Sequence, residues 1–295
     1  MRWEMGRRSG NVEDQRGQQR IPGGFKGGGI AILLLALVGM FFGIDPTVIL
    51  NLLGNGGDIS VNRPTMEQRT APTPQQDKLA DFTSVVLADT EDTWREQFQR
   101  MGKTYKEPKL VLFSNAVQSA CGFAQSATGP FYCGGDQKVY IDLDFFNELK
   151  HKLNAPGDFA QAYVIAHEIG HHVQNQLGIL NKVNAAQRNA SKTVANQLLV
   201  RLELQADCFA GIWAHHADRT RNVVEPGDID EALNAASQIG DDHLQRQTRG
   251  YVTPDSFTHG TSAQRTNWFR QGYQSGQIQD CNTFAAKRPL FDVNE

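Results

Sequence analysis

The sequence predicts an α+β domain, mostly helical with a small sheet, preceded by one N-terminal transmembrane helix. Three observations predict this class. Residues 30–44 contain only apolar residues and glycine. Val139, Ile141 and Leu143 alternate with more polar neighbours, as in a strand with one buried face. Helical patterns lie on both sides of that strand and dominate after it. The chain of 295 residues, 40% of them hydrophobic, is long enough to bury a sizeable core.

The first 29 residues hold six basic and three acidic side chains and are rich in Gly and Gln. This composition predicts a disordered basic arm. The apolar core that follows is about 22 Å long as a helix, and its apolar flanks extend it to 30–53, enough for one crossing. The alternative is a cleaved signal peptide, because small residues follow at 54–56.

The excess of Arg and Lys before residues 30–53 predicts a single-pass protein of the inner or plasma membrane. Its N-terminus would be cytoplasmic and its globular domain extracytoplasmic, either periplasmic or extracellular. The lipid bilayer is therefore an expected partner. A net charge of −3 and a pI near 6.2 give no reason to expect nucleic-acid binding.

Four cysteines are present, Cys121, Cys133, Cys208 and Cys281. None forms a Cys-x-x-Cys pair, which disfavours a zinc knuckle. In an oxidising compartment two disulfides are plausible. Proximity in the sequence suggests Cys121–Cys133 and leaves Cys208–Cys281, although three pairings are possible and four buried thiols are the alternative.

The remaining elements follow in chain order. Residues 54–76, rich in Gly, Pro, Thr and Gln, read as a linker, and the globular domain spans 77–295. Helix signals of spacing, caps and glycine stops, together with short β-like runs, then define the domain. We expect a helix from Leu79 to a cap at Gly102, followed by strands at 109–113 and 139–143. A helix over 159–177 with Asp158 as N-cap comes next, and then one long helix at roughly 183–217. The last two helices are expected from a capping box of Asp228 and Glu231 to just before Gly250, and at 262–276.

The run His167-Glu168-Ile169-Gly170-His171 carries the main chemical signal. A helix turns about 100° per residue, so positions four apart lie on one face and two imidazoles can reach one zinc ion. Glu168 lies to the neighbouring side, where it can act on a water as general base. His172 is about 140° from His167 and is not expected to be a ligand. The pattern sits in a predicted helix after an apolar run, and that burial strengthens the prediction.

A catalytic zinc usually takes three protein ligands and keeps one position for water. A histidine close behind the motif is absent, because Gln174 and Leu177 occupy the usual positions. Glu203 is the best candidate for the third ligand. Asp207, four residues later on the same helix face, can accept the second N–H of a ligand histidine. The alternative is that both are ordinary surface carboxylates.

The runs 166–175 and 203–211 resemble the bacterial "putative neutral zinc metallopeptidase" family. The resemblance covers nearly the whole chain, including the basic arm, the apolar segment, and the runs 85–92 and 139–143. Residues 203–207 also resemble the third-ligand helix of larger membrane zinc peptidases that include the prenyl-protein proteases. The resemblance implies a zincin-like metallopeptidase fold that binds Zn²⁺ through His167, His171 and Glu203, with Asp207 behind a ligand histidine.

These residues predict a zinc-dependent endopeptidase that hydrolyses peptide or protein substrates with metal-activated water and Glu168 as general base. His259, in a loop before the last helix, is the candidate donor to the oxyanion, with a solvated loop histidine as the alternative. Strand 139–143 is expected to pair with an extended substrate. The alternative functions are a cell-wall amidase, a non-catalytic membrane-anchored zinc-binding adaptor, and an inert relative.

Overall fold

The computed structural model describes residues 1–17 and 72–285. The predicted anchor at 30–53 lies outside these residues, as do most of the predicted arm and linker, so the anchor stays a prediction. Within the described ranges, no helix combines the length and the apolar composition that a bilayer crossing needs.

Eight helices and six strands are found in the described residues, and the predicted α+β class with a small sheet is confirmed. The strands are β1 (Val12–Asp14), β2 (Lys109–Phe113), β3 (Ala116–Ser119), β4 (Gly122–Gln125), β5 (Phe131–Cys133) and β6 (Lys138–Asp142). The helices are α1 (Pro74–Arg100), α2 (Asp144–His151), α3 (Asp158–Gln176), α4 (Ile179–Gln187), α5 (Lys192–Arg219), α6 (Asp228–Gln238), α7 (Asp241–Arg249) and α8 (Ser262–Ser275).

The main sheet has four strands in the order β1-β2-β6-β5. Strands β1, β2 and β6 are parallel, and β5 is antiparallel to β6 at the end of the sheet. Strands β3 and β4 form a separate hairpin. Strand β6 was expected to bury one face, but Tyr140 and Asp142 are each only 4% exposed. The second face is covered because β6 lies inside a largely parallel sheet, where strands are typically buried on both faces.

The first 17 residues are not the disordered arm that their composition predicted. Strand β1 pairs with β2, Trp3 packs edge-on against Phe82 at 5.4 Å, and Arg7 lies 2.9 Å from the buried carboxylate of Glu91. Residues 1–16 thus belong to the same compact unit as the domain. The segment docks through a few separated side chains and a short strand, and such contacts leave no periodic pattern in the sequence.

Two predicted helices are each divided in the structure. The long helix expected at 183–217 is α4 followed by α5, and Ser191 caps the second through the backbone N–H of Val194. The region 228–250 is α6 followed by α7, which separate at Gly240. A Cβ at Gly240 would collide with the backbone of Ser262, so the chain has no room for a side chain there.

Two predicted helix caps are also different. Asp158 and Asp228 lie in the first turns of α3 and α6, whose N-caps are the preceding glycines. The predicted capping box at Asp228 does not form, because the Glu231 carboxylate accepts the backbone N–H of Phe159 at 3.0 Å instead. This contact ties α6 to the start of α3, the helix that carries the HExxH residues.

Both suggested disulfides are present. Cys121–Cys133 joins the β3–β4 turn to β5, and Cys208–Cys281 joins α5 to the short 3₁₀ turn at Ile278–Cys281.

Helices α3 and α5 approach each other closely at the motif. A Cβ at Gly170 would lie 3.0 Å from the Cα of Ala206, so the glycine between the two motif histidines allows the backbones to meet. Helix α8 also lies close to α5, because a Cβ on Gly272 would collide with the carbonyl of Cys208. The three helices are therefore held together by small residues at their contact points.

Candidate metal centre

Three predicted ligands from α3 and α5 meet in one cavity. His167 Nε2 lies 3.1 Å from Glu203 Oε2, and His171 Nε2 lies 3.4 Å from Glu203 Oε1. Donor atoms around a tetrahedral zinc ion with bonds of about 2.0–2.1 Å are about 3.3 Å apart. The two imidazoles and the carboxylate therefore match zinc both in donor type and in spacing.

The second nitrogen of each histidine ring is hydrogen-bonded to an acceptor on the protein. His167 Nδ1 donates to Asp207 Oδ1 at 2.8 Å, and His171 Nδ1 donates to Gln174 Oε1 at 2.9 Å. Gln174 is fixed in turn, because its Nε2 donates to the carbonyl of Leu202 at 2.7 Å. With Nδ1 protonated on both rings, both Nε2 lone pairs are directed at the shared site, as metal binding requires.

The charges in the cavity are strongly coupled. Burial opposes ionisation of Glu203, but His171 and His167 outweigh it and hold the pKa of this carboxyl well below its usual range. Burial likewise opposes the charged form of His167, yet Asp207 and Glu203 raise its pKa to about 10. A proton on His167 must therefore leave when a metal binds, because a ligand histidine is neutral.

Glu168 also lines the cavity and is 7% exposed. Burial raises the pKa of its carboxyl, while the two motif histidines act in the opposite direction. A carboxyl whose pKa is raised toward neutrality is suited to accept a proton and give it back.

His259 reaches the same cavity from the loop before α8. Its Nδ1 lies 3.1 Å from Asp241 Oδ1, and Asp241 Oδ2 accepts the backbone N–H groups of Thr258, His259 and Gly260. Burial opposes protonation of His259, but the hydrogen bond to Asp241 and the charges of Glu203 and Asp241 together raise the pKa of the ring. The sequence indicates His259 as a candidate, but it does not indicate Asp241, the carboxylate that orients this ring.

Asp207 is completely buried and has further partners that sequence reasoning missed. Tyr163 Oη donates to its Oδ1 at 2.6 Å, and Arg265 donates to both of its oxygens. Tyr163 lies one helical turn before His167, so the helical repeat could have indicated it. Arg265 lies 58 residues after Asp207 and carries no local signal of its position.

The other candidates lie outside the site. His172 contacts the hydroxyl of Tyr132 and the carbonyl of Lys106, as expected of a residue that is not a ligand. A second group of carboxylates, formed by Asp158, Asp228 and Glu231, contains no histidine, and the amino group of Met1 lies 2.8 Å from Asp158.

The expected substrate strand needs a correction. Strand β6, which contains most of 139–143, is paired with β2 along its whole length and with β5 over 138–140, so among the described residues only Ile141 and Asp142 are not paired on the β5 side. The terminal strand of this sheet is β5, and its residues Phe131 and Tyr132 line the cavity beside Glu168. The alternating pattern identified a strand but could not reveal its position in the sheet.

Comparisons with known proteins agree with this chemistry. A family model described as "Putative neutral zinc metallopeptidase" matches residues 1–284. The chain is 49% identical to the "Uncharacterized protein YpfJ" of Escherichia coli K12, over 96% of this chain and 99% of the relative. It is 45% identical to the "Uncharacterized protein Rv2575" of Mycobacterium tuberculosis H37Rv, over 62% of this chain and 64% of that relative. No solved structure matches.

Proposed function

The chain belongs to the "putative neutral zinc metallopeptidase" family, and from this we propose that it is a zinc-dependent endopeptidase with Glu168 as general base. The observation that carries the proposal is the meeting of His167, His171 and Glu203 beside Glu168 in one cavity. An open set of three ligands with an adjacent carboxylate is typical of catalytic zinc sites, whereas structural sites close all four positions.

In the proposed mechanism, His167, His171 and Glu203 hold the metal. Zinc, when bound there, supplies a Lewis acid that makes water more acidic and polarises the substrate carbonyl. Asp207 and Gln174 keep the two imidazole rings in the required orientation through their Nδ1 atoms. Orientation of this kind reduces the rearrangement needed when the ion binds.

Glu168 acts on the protons of the reaction. Its carboxylate accepts the proton of the attacking water and later gives it to the nitrogen of the leaving amine. The raised pKa of this buried carboxyl favours the first transfer, because a more basic carboxylate accepts a proton from water more readily. We assign to His259 a hydrogen bond to the oxyanion that develops on the carbonyl oxygen.

The substrate in this proposal is an extended peptide that pairs with β5. Strand β5 ends the described sheet and lies along the cavity, so a substrate backbone can add to it as a further strand. The cavity wall also contains Val164, Leu180 and Leu202, and we expect an apolar side chain to bind against these residues.

The test is metal analysis combined with peptide-library cleavage on the full chain, comparing wild type with Glu168→Gln and Glu203→Ala. We expect Glu168→Gln to retain zinc and lose at least about 100-fold in kcat, because the proposed base is not a ligand. Glu203→Ala should lose both zinc and cleavage.

Two results would contradict parts of the proposal. Zinc binding and full activity in Glu203→Ala would require another third ligand. Cleavage of peptidoglycan with no cleavage of peptides would identify an amidase instead.

A further inference from the structure

Arg265 in the second turn of α8 is 2% exposed, and its guanidinium points at Asp207. Its Nε donates to Asp207 Oδ2 at 2.8 Å and its Nη2 donates to Oδ1 at 2.9 Å. The same Nη2 lies 3.3 Å from the hydroxyl of Tyr163 and 3.4 Å from His167 Nδ1. The pair is therefore bidentate and lies directly behind a proposed metal ligand.

The geometry of this pair fixes the plane of the Asp207 carboxylate. Arginine presents its donors in a rigid planar fork, so two parallel hydrogen bonds leave the carboxylate little freedom to rotate. Oδ1 then faces His167 Nδ1 at 2.8 Å. If the carboxylate rotated, the ring of His167 would lose the acceptor that keeps its Nε2 directed at Glu203.

Arg265 also supplies charge. Asp207 is completely buried, and an isolated ionised carboxylate in such a place is strongly disfavoured. The guanidinium, 2.8 Å away, gives the carboxylate a charged partner besides His167, and that partner fixes its position.

We propose that Arg265 is a positioning residue of the metal site, which orients His167 through the carboxylate of Asp207. This inference rests on the proposed zinc site. It assigns to the C-terminal helix α8 a part in metal binding, although α8 contributes no proposed ligand. The close contact of Gly272 with the carbonyl of Cys208 holds α8 against α5, so that Arg265 and Asp207 keep their distance.

The experiment measures zinc affinity by competition with a chelator, the absorption spectrum of the Co²⁺-substituted protein, and thermal stability, all on the full chain. Arg265→Lys keeps the charge but cannot form the bidentate pair. We expect its zinc affinity to fall about 10- to 100-fold, with a changed Co²⁺ spectrum, as found when partners of ligand histidines are altered.

The matched control is Arg221→Lys. Arg221 forms a similar bidentate pair with Asp89, with distances of 2.6 and 2.7 Å, and neither residue lines the cavity. This variant should lose stability while its zinc affinity and Co²⁺ spectrum stay those of wild type. The control therefore distinguishes a loss of stability caused by breaking a partly buried ion pair from a specific change in zinc binding.

If Arg265→Lys does not fold, Arg265→Gln replaces it, because its amide can still donate one hydrogen bond to Asp207 but cannot form the bidentate pair. We expect the same loss of zinc affinity. A variant that folds and binds zinc and Co²⁺ as wild type does would overturn this inference and leave the proposed function intact. Wild-type protein that binds no zinc would overturn both.

Discussion

At the scale of single residues, His167 and His259 both line the cavity, and each is oriented by a carboxylate behind its ring in a different way. In the first, Asp207 is bound to Tyr163 and Arg265 as well as to His167, so its orientation is fixed. In the second, Asp241 is fixed by backbone N–H groups, and the side chain of His259 stays half exposed. The first arrangement suits a metal ligand and the second suits a donor that meets the substrate.

This difference leads to a prediction for His259. We expect His259→Ala to retain wild-type zinc affinity and to lose about 100- to 1,000-fold in kcat, the usual cost of removing one oxyanion donor. Steady-state kinetics and metal analysis check it. His243→Ala is the control, because His243 lies on α7 with Asp241 but does not line the cavity. Unchanged kcat in His259→Ala would leave this histidine as a loop residue.

His172 gives a prediction about pH. Burial lowers its pKa to about 4, against a small opposing effect of the hydrogen bond to the carbonyl of Lys106. The ordinary value is about 6.5, so between these two values the unfolded chain binds more protons than the folded one. The stabilisation is complete above pH 6.5 and is lost as the pH falls toward 4, by up to about 3 kcal/mol.

Denaturant unfolding of wild type and His172→Gln at several pH values, with a chelator present, measures this effect. The variant lacks the titrating ring, so its free energy of unfolding should fall less steeply below pH 6.5. The difference between the two proteins should therefore shrink as the pH is lowered. Parallel curves for the two proteins would show that His172 does not contribute.

At the scale of helices and strands, the residues that could be predicted are those whose partners lie one or two turns away. The His-Glu-x-x-His spacing of residues 167–171 predicts His167, Glu168 and His171 on one helix. The four-residue spacing of Glu203 and Asp207 predicts that these two lie on one face of another helix. The break at Ser191 has a local signal, since Ser191 caps α5 through Val194, whereas the division at Gly240 depends on a contact with Ser262, 22 residues later in the chain. The edge position of β5 was missed, since strand order is a property of the whole sheet.

The disulfide on α5 gives a prediction at this scale. Cys208 directly follows Asp207, and Gln205 donates to the carbonyl of Cys281 at 2.9 Å. The bridge therefore holds the segment around Cys281 against α5, the helix of Glu203. Its two cysteines are 73 residues apart, a loop for which the chain-entropy model gives about 4 kcal/mol of stabilisation. We expect the double variant Cys208→Ala with Cys281→Ala to lose thermal stability and zinc affinity.

The matched control is Cys121→Ala with Cys133→Ala, which removes the other bridge from β5 rather than from α5. This variant should retain its zinc affinity. Calorimetry and chelator competition check both variants. Equal zinc affinity in the two double variants would show that the bridge on α5 does not support the metal site.

At the scale of the whole molecule, residues 1–16 and the helical domain form one compact unit. The predicted crossing at 30–53 lies between them in the sequence and outside the described residues. A single crossing would put the two parts on opposite sides of the membrane, and β1 could not then pair with β2. The predicted topology, with a cytoplasmic N-terminus, stays a prediction, and it requires residues 1–16 to leave the packing described here.

We propose instead that residues 1–16 share a compartment with the domain. We propose that this compartment is the extracytoplasmic one, because two disulfides form most readily in an oxidising environment.

Single cysteines introduced by Met5→Cys and Val194→Cys test this shared location. These sites are 97% and 46% exposed, and among the described residues no native cysteine is free to compete. A membrane-impermeant maleimide added to intact cells should label both sites, and detergent should not increase the labelling of either. Labelling of Val194→Cys alone, with Met5→Cys reacting only after detergent, would restore the single-pass topology and require β1 and Trp3 to leave the domain.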